Sequence, residues 1–91
     1  MNEYKEMTKH YLATYTDALR ADRKLTQERM AEELRISSRA YGDLERGKYC
    51  FSSNALLFMM VMLERDEIAS FLCGFQTQVE MLEHGANYEN G

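Results

Sequence analysis

Residues 25–48 read LTQERMAEELRISSRAYGDLERGK, and this stretch decides the fold because it encodes two short helices joined by a tight turn. Thr26 and Ser37 are residue types that favour the N-cap of a helix, where a side-chain oxygen accepts from a free backbone N–H. Leu25 and Ile36 precede these two caps, and each can pack on the following turn as a hydrophobic staple. The stretch therefore predicts two consecutive helices that begin after Thr26 and Ser37.

The apolar spacing of this stretch turns one face of each helix toward the other. The inward positions are Met30, Ala31 and Leu34 on the first helix, and Tyr41 and Leu44 on the second. The outward positions of the second helix are Ser38, Arg39, Gly42, Asp43 and Arg46. Gly42 costs about 1 kcal/mol relative to alanine in a helix, which predicts that a bulkier side chain is unwelcome there. Gly47 predicts the end of the second helix, so the helix-turn-helix covers residues 27–46.

Three further helices are predicted around this motif. They cover about residues 3–21, residues 53–63 after a cap at Ser52 or Ser53, and residues 66–84 with Gly85 as terminator. The fourth helix is apolar nearly all round, which predicts a central position in the core. We expect the long first and fifth helices to pack together and to form part of a dimer surface. The sequence predicts one all-α domain over residues 1–85, followed by a frayed tail over residues 86–91.

Composition narrows the class of protein further. The net charge is −4, but residues 20–48 carry eight basic and six acidic groups and are therefore +2, whereas the remainder, with three basic groups and nine acids, is −6. The longest apolar run, residues 55–63, is too short for a membrane span, and the N-terminus has no secretory pattern. Cys50 and Cys73 form no metal-binding motif, so we expect two free thiols, no metal site and a cytoplasmic protein.

The quoted stretch resembles the XRE type of helix-turn-helix, the family of phage repressors and Cro proteins. The matching signals are Leu25-Thr26-Gln27, the small Ala31 at the helix crossing, Ile36-Ser37 in the turn, and Leu44-Glu45-Arg46-Gly47-Lys48. The resemblance covers residues 15–65, where Leu57, Met60 and Leu63 match the core helix of the family. It implies a five-helix, lambda-repressor-like DNA-binding domain that acts as a dimer, with the second motif helix in the major groove.

The resemblance also implies which side chains contact DNA. The base-reading positions are Ser38, Arg39 and Asp43. The phosphate-contacting positions are Gln27, Arg46, Lys48, Tyr49 and Ser52. The family usually has glycine at the turn position of Arg35, which predicts either a left-handed arginine or a slightly different turn.

Arg39 and Asp43 form the centre of the predicted reading surface. Arginine can bond guanine O6 and N7 with two parallel hydrogen bonds, and residues four apart on a helix can pair. We hypothesise that Asp43 steadies Arg39 for guanine, or itself accepts from a cytosine amino group. A plain solvated surface pair is the alternative for these two residues.

Two functions are compatible with these sequence features. The first is a sequence-specific transcriptional regulator that binds an inverted-repeat operator in double-stranded DNA as a homodimer. The second is a protein-interaction module that keeps the fold but has lost DNA affinity, which the net acidity and Asp43 on the reading face would favour. A continuous basic stripe through Gln27, Arg39, Arg46 and Lys48 would support DNA, whereas interruption by Glu32, Asp43 or Glu45 would support a protein partner. No catalytic motif or phosphate-binding loop is present, so neither an enzyme nor a cofactor is predicted.

Overall fold

The computed structural model describes the backbone of residues 2–90 and the side chains of residues 3–85. This part of the chain is entirely helical and loop, as predicted, with five helices and no strand. They are α1 (Asn2–Arg23), α2 (Gln27–Leu34), α3 (Ser38–Glu45), α4 (Ser53–Val61) and α5 (Arg65–Asn90). None of them is long and apolar enough to cross a membrane.

Three predicted N-caps are present, and each has the expected hydrogen bond. The hydroxyl of Thr26 accepts from the backbone N–H of Arg29 at 3.0 Å, and that of Ser37 from Ala40 at 3.0 Å. For α4, the structure selects Ser52 as the cap. These local signals were readable in the sequence because an N-cap bond joins residues only three apart.

The turn between α2 and α3 contains a left-handed residue at position 35, which is one of the two alternatives that the sequence predicted. Arg35 has φ 62° and ψ 40°, a conformation that costs free energy in a residue with a Cβ atom. Its guanidinium donates to the carbonyl oxygens of Glu32 at 3.1 Å and Glu33 at 2.8 Å, and lies 4.5 Å from the ring centre of Phe58. These contacts offset part of the backbone strain, so the turn keeps its shape without glycine.

The core lies where α1, α2, α3 and α4 meet. Its fully buried side chains are Tyr41, Met30, Leu34, Met59 and Thr16. The hydroxyl of Thr16 is satisfied within its own helix by donating to the carbonyl of Leu12 at 2.6 Å. The predicted central position of α4 is only half right: Ala55 and Met59 are buried, but Leu57 is 64% and Val61 76% exposed. The other helices cover only one side of α4 and leave its opposite face in solvent.

The two long helices, α1 and α5, pack against each other in antiparallel fashion, as expected. Arg23 at one end pairs with Glu67, and Tyr4 at the other end donates to Glu83 at 3.1 Å. Between these ends, Tyr11 donates to the carbonyl of Phe71 at 2.7 Å. The rings of the tyrosines therefore serve packing, in a cluster formed by Tyr11, Tyr15, Phe71 and Phe75.

Several predicted helix boundaries were wrong. α1 continues past residue 21 to Arg23, and α4 ends at Val61 rather than near residue 63. Gly85 does not end α5, which continues to Asn90, because an isolated glycine weakens a helix without breaking it. The frayed tail was predicted over residues 86–91. The side chains of these residues, and the whole of Gly91, lie outside the part of the chain that the structure describes. Cys50 and Cys73 are free and exposed.

Candidate nucleic-acid interface

The exposed face of α3 holds the side chains that the sequence assigned to base reading. Ser38 and Arg39 are exposed near the start of the helix, directly after the Ser37 cap. Tyr41 and Leu44 anchor the opposite face in the core. Within residues 3–85, no carboxylate lies within ion-pair distance of Arg39. The Arg39 guanidinium is thus available to a ligand in the solvent.

Asp43 pairs with a different arginine from the one expected. Its Oδ1 atom lies 2.5 Å from Nη2 of Arg46, so the hypothesis that it steadies Arg39 does not hold in this structure. The Asp43 side chain is only 15% exposed, whereas that of Arg46 is 68% exposed. Both spacings, three and four residues, bring side chains together on a helix, and the sequence alone did not distinguish them.

Gly42 lies beneath the Arg46 side chain that reaches Asp43. A Cβ atom built on Gly42 would lie 3.4 Å from Nη1 of Arg46, and no other atom would come within 4 Å apart from the local helix backbone. The arginine side chain therefore crosses α3 directly over the glycine. The sequence predicted that a bulkier side chain would be unwelcome at position 42. Among the residues that the structure describes, the only neighbour that such a side chain would meet is the flexible side chain of Arg46.

Glu45 is the residue that sequence reasoning missed. Its carboxylate accepts from Nε of Arg20 at 2.7 Å, from the hydroxyl of Tyr41 at 2.7 Å and from Nε2 of Gln27 at 2.8 Å. The Glu45 side chain is 10% exposed, and these bonds join α1, α2 and α3 at a partly buried position. The Leu44-Glu45-Arg46-Gly47 motif was the available signal in the sequence. Glu45 was counted there only as one of the acidic groups, and its role in joining helices was not predicted.

The contacts of Glu45 set the ionisation of two groups. Burial alone would raise the pKa of Glu45, but the hydrogen bonds from Arg20, Tyr41 and Gln27 outweigh it and hold the pKa below its ordinary value of 4.5. Burial, followed by the hydrogen bond to Glu45, raises the pKa of Tyr41 well above its ordinary range. The pair is therefore a carboxylate and a neutral phenol at neutral pH.

The loop after α3 begins with a tight glycine turn. Gly47 has φ 74°, its N–H donates to the carbonyl of Leu44, and the N–H of Lys48 donates to that of Asp43. This is the Schellman arrangement that closes a helix C-terminus. Lys48, Tyr49 and Ser52 are exposed beyond it, with the Lys48 ammonium 5.5 Å from the ring centre of Tyr49. The hydroxyl of Ser52 accepts from Ala55, which leaves its own hydrogen to donate.

The charge on this side of the molecule is a mixture rather than a continuous basic stripe. Glu45 is neutralised internally by Arg20, and Asp43 is covered by Arg46, so neither acid is a bare charge. Glu32 remains exposed. Arg23, which contributed to the predicted basic segment, is occupied by Glu67 through two hydrogen bonds of 2.9 and 2.8 Å. The cations that remain without a carboxylate partner around α3, among residues 3–85, are Arg35, Arg39 and Lys48.

Comparison with known proteins supports the resemblance seen in the sequence. A family model described as helix-turn-helix matches residues 18–60, from the C-terminal part of α1 to the last turn of α4. No curated protein and no solved structure gives a significant match. The matched segment contains both motif helices, their caps, the left-handed turn and the Glu45 network. Residues 18–60 are thus similar to the XRE/Cro-like helix-turn-helix family, which is a family of DNA-binding regulatory domains.

Proposed function

We propose that this protein is a sequence-specific transcriptional regulator that reads the major groove of double-stranded DNA with α3. The observation that carries the proposal is the exposed face of α3, where Arg39 lies without a carboxylate partner among residues 3–85. The buried side of the same helix is fixed by Tyr41 and by the Glu45 network. A rigid helix that presents an unpaired arginine fits direct readout of a base edge.

Each predicted contact has a chemical role in this proposal. Arg39 donates to guanine O6 and N7, and Ser38 can bond either a base edge or a phosphate. Gln27 has one amide hydrogen bonded to Glu45, and its second hydrogen can donate to a phosphate at the start of α2. Lys48, Tyr49 and Ser52 supply the phosphate contacts after α3. Arg46, which the resemblance places in this second group, differs from them because it is paired with Asp43.

The proposed ligand is an inverted-repeat operator, and the proposed assembly is a homodimer in the cytoplasm. A twofold dimer places two recognition helices about 34 Å apart, which is one turn of DNA. The exposed apolar side chains outside the reading face support a second copy as a partner. Of these, Leu72 and Met81 belong to α5, one of the two long helices.

The second candidate function is a protein-interaction module. The observation that favours it is the internal use of Arg20 and Arg23, which leaves few unpaired cations near α3 in a chain of net charge −4. DNA affinity depends strongly on the number of phosphates that the protein neutralises. Under this alternative, Asp43 and Glu32 would face a protein rather than a phosphate strand.

Selection from a random double-stranded DNA library at two salt concentrations separates the two functions. For a regulator, we expect enrichment of a palindromic motif that contains guanine and binds less tightly at the higher salt concentration. Arg39→Ala should then lower affinity for that motif by about 1–3 kcal/mol and relax the preference at one position of each half-site. No enrichment and no binding at low salt would instead support the interaction module.

A further inference from the structure

Arg46 does not extend from the end of α3 toward solvent but turns back along the helix. Its backbone is still right-handed, with φ −84° and ψ 0°, and side chains of right-handed helical residues lean toward the N-terminus. Nη2 binds Oδ1 of Asp43, and Nη1 lies over Gly42. The guanidinium is thus held about one turn closer to Arg39 than its own Cα atom is.

This position belongs to the outward face of α3. Residues 39, 43 and 46 are four and three apart, which places them on one side of a helix. That side is opposite to the buried Tyr41 and Leu44. Gly42 adds no side chain between them, and the Arg46 side chain that crosses this face is 68% exposed.

The pairing with Asp43 suits base recognition better than phosphate contact. A phosphate contact depends strongly on charge, and a neighbouring carboxylate reduces the net charge of the pair and repels the phosphate. A guanidinium has five N–H donors in a fixed fork, and Asp43 accepts through one oxygen only. The remaining donors keep the direction that two parallel bonds to a guanine require.

We propose that Arg46 is a second base-reading arginine, specific for a guanine in the same half-site as the base read by Arg39, and that Asp43 is its positioning residue. This inference rests on the proposed function, because it names the specificity of the same surface. It replaces both earlier roles: Arg46 as a phosphate contact, and Asp43 as a partner of Arg39.

The test is DNA selection followed by affinity measurements with wild-type protein and the variants Arg46→Ala, Arg46→Lys and Asp43→Asn. Arg46→Ala should lose the preference for one guanine per half-site, with roughly a 5- to 100-fold loss of affinity for the wild-type motif. Arg46→Lys should lose the same preference although it keeps the charge, because an ammonium lacks the planar fork. Asp43→Asn should relax the same position, and should add little to Arg46→Ala in the double variant.

Lys48→Ala is the matched control for a phosphate contact. It should weaken binding to all sequences by a similar factor, lower the salt slope by about one and leave the selected motif unchanged. If Arg46→Ala behaves like Lys48→Ala, or Arg46→Lys keeps the wild-type motif, Arg46 is a phosphate contact and the inference is overturned. Absence of any motif for the wild-type protein would overturn the proposed function, and this inference with it.

Discussion

At the scale of single residues, Glu45 connects three helices at the edge of the core. It joins Arg20 of α1 and Gln27 of α2 to its own helix, α3. The inward side of α3 is thereby fixed by polar bonds as well as by apolar packing. Loss of one partner from such a partly buried network leaves the others unsatisfied, which is more costly than loss of a surface ion pair.

Glu45→Gln should therefore lower the free energy of unfolding at pH 7 by about 1–3 kcal/mol, because the neutral amide bonds the Arg20 guanidinium less strongly. Chemical denaturation with circular dichroism measures this change. Glu33→Gln is a suitable control, since its ion pair with Arg29 is an exposed pair four residues apart on α2, and it should change stability by less than about 0.5 kcal/mol. Equal effects of the two substitutions would contradict the special role of Glu45.

The depressed pKa of Glu45 also predicts loss of stability in acid. The unfolded chain has the ordinary value of 4.5, so it takes up this proton before the folded protein does as the pH falls. The contribution of Glu45 is complete above about pH 5 and is lost as the pH falls through the lower, folded pKa. Denaturation curves between about pH 3 and pH 7 should show a smaller decline for Glu45→Gln than for wild type. Parallel curves would show that other carboxylates determine the acid limit.

At the scale of elements, Gly42 allows a prediction about the stability of α3. Alanine favours a helix by about 1 kcal/mol over glycine, and the one neighbour of the added methyl group is the flexible Arg46 at 3.4 Å. Gly42→Ala should raise the free energy of unfolding by about 0.5–1 kcal/mol and leave the Arg46 guanidinium close to its place over α3. Thermal denaturation measures the first effect, and Gly85→Ala, in open space on α5, is its control. Destabilisation by Gly42→Ala alone would contradict this packing.

Gly74 has the opposite constraint, because α1 and α5 approach closely there. A Cβ atom at this position would lie 2.4 Å from the hydroxyl oxygen of Tyr11 but 3.4 Å from the ring carbon that bears it. Gly74→Ala should therefore destabilise the protein by about 1–3 kcal/mol, as expected for overpacking. Tyr11→Phe removes the clashing oxygen, so the double variant should recover most of the loss in a double-mutant cycle. Additive effects of the two substitutions would mean that the glycine is required for another reason.

The contrast between these elements explains what could be predicted from the sequence. Thr26, Ser37 and Gly47 act on backbone groups within a few residues, so their caps and turns were predictable from local pattern. The exposed face of α4 was not predictable, because apolar composition does not determine how many sides of a helix pack against other helices. The Asp43–Arg46 pair was missed because both spacings from Asp43 are geometrically open, and the tertiary position of Glu45 was missed because its partners lie on two other helices.

At the scale of the whole molecule, the distribution of charge differs from its count along the sequence. The +2 balance of residues 20–48 includes Arg20 and Arg23, but both arginines stabilise the fold through Glu45 and Glu67. Few phosphates can then be neutralised by each copy, so the affinity for DNA should change little with salt compared with strongly basic repressors. Binding by two copies to two half-sites would supply affinity that one copy lacks.

We expect the homodimer to form through the surface of α1 and α5. Leu72 is 53% exposed at the edge of a mainly apolar groove of about 190 Å³, lined also by Thr8, Leu12, Leu56, Phe71 and Phe75. Sedimentation equilibrium should show a reversible dimer that Leu72→Lys converts to monomer, because a lysine ammonium is costly to bury in an apolar contact. Leu57→Lys, a matched change on the exposed face of α4, should leave the dimer intact.

Sedimentation of the same three proteins also distinguishes the other arrangements. A wild-type protein that stays monomeric at high concentration would contradict the homodimer and leave only a dimer assembled on DNA. Dissociation by Leu57→Lys instead of Leu72→Lys would move the interface to α4. An interface around Leu57 and one around Leu72 would orient the two copies differently, so each would give a different separation of the two recognition helices, and the half-site spacing of the selected operator would reveal it independently.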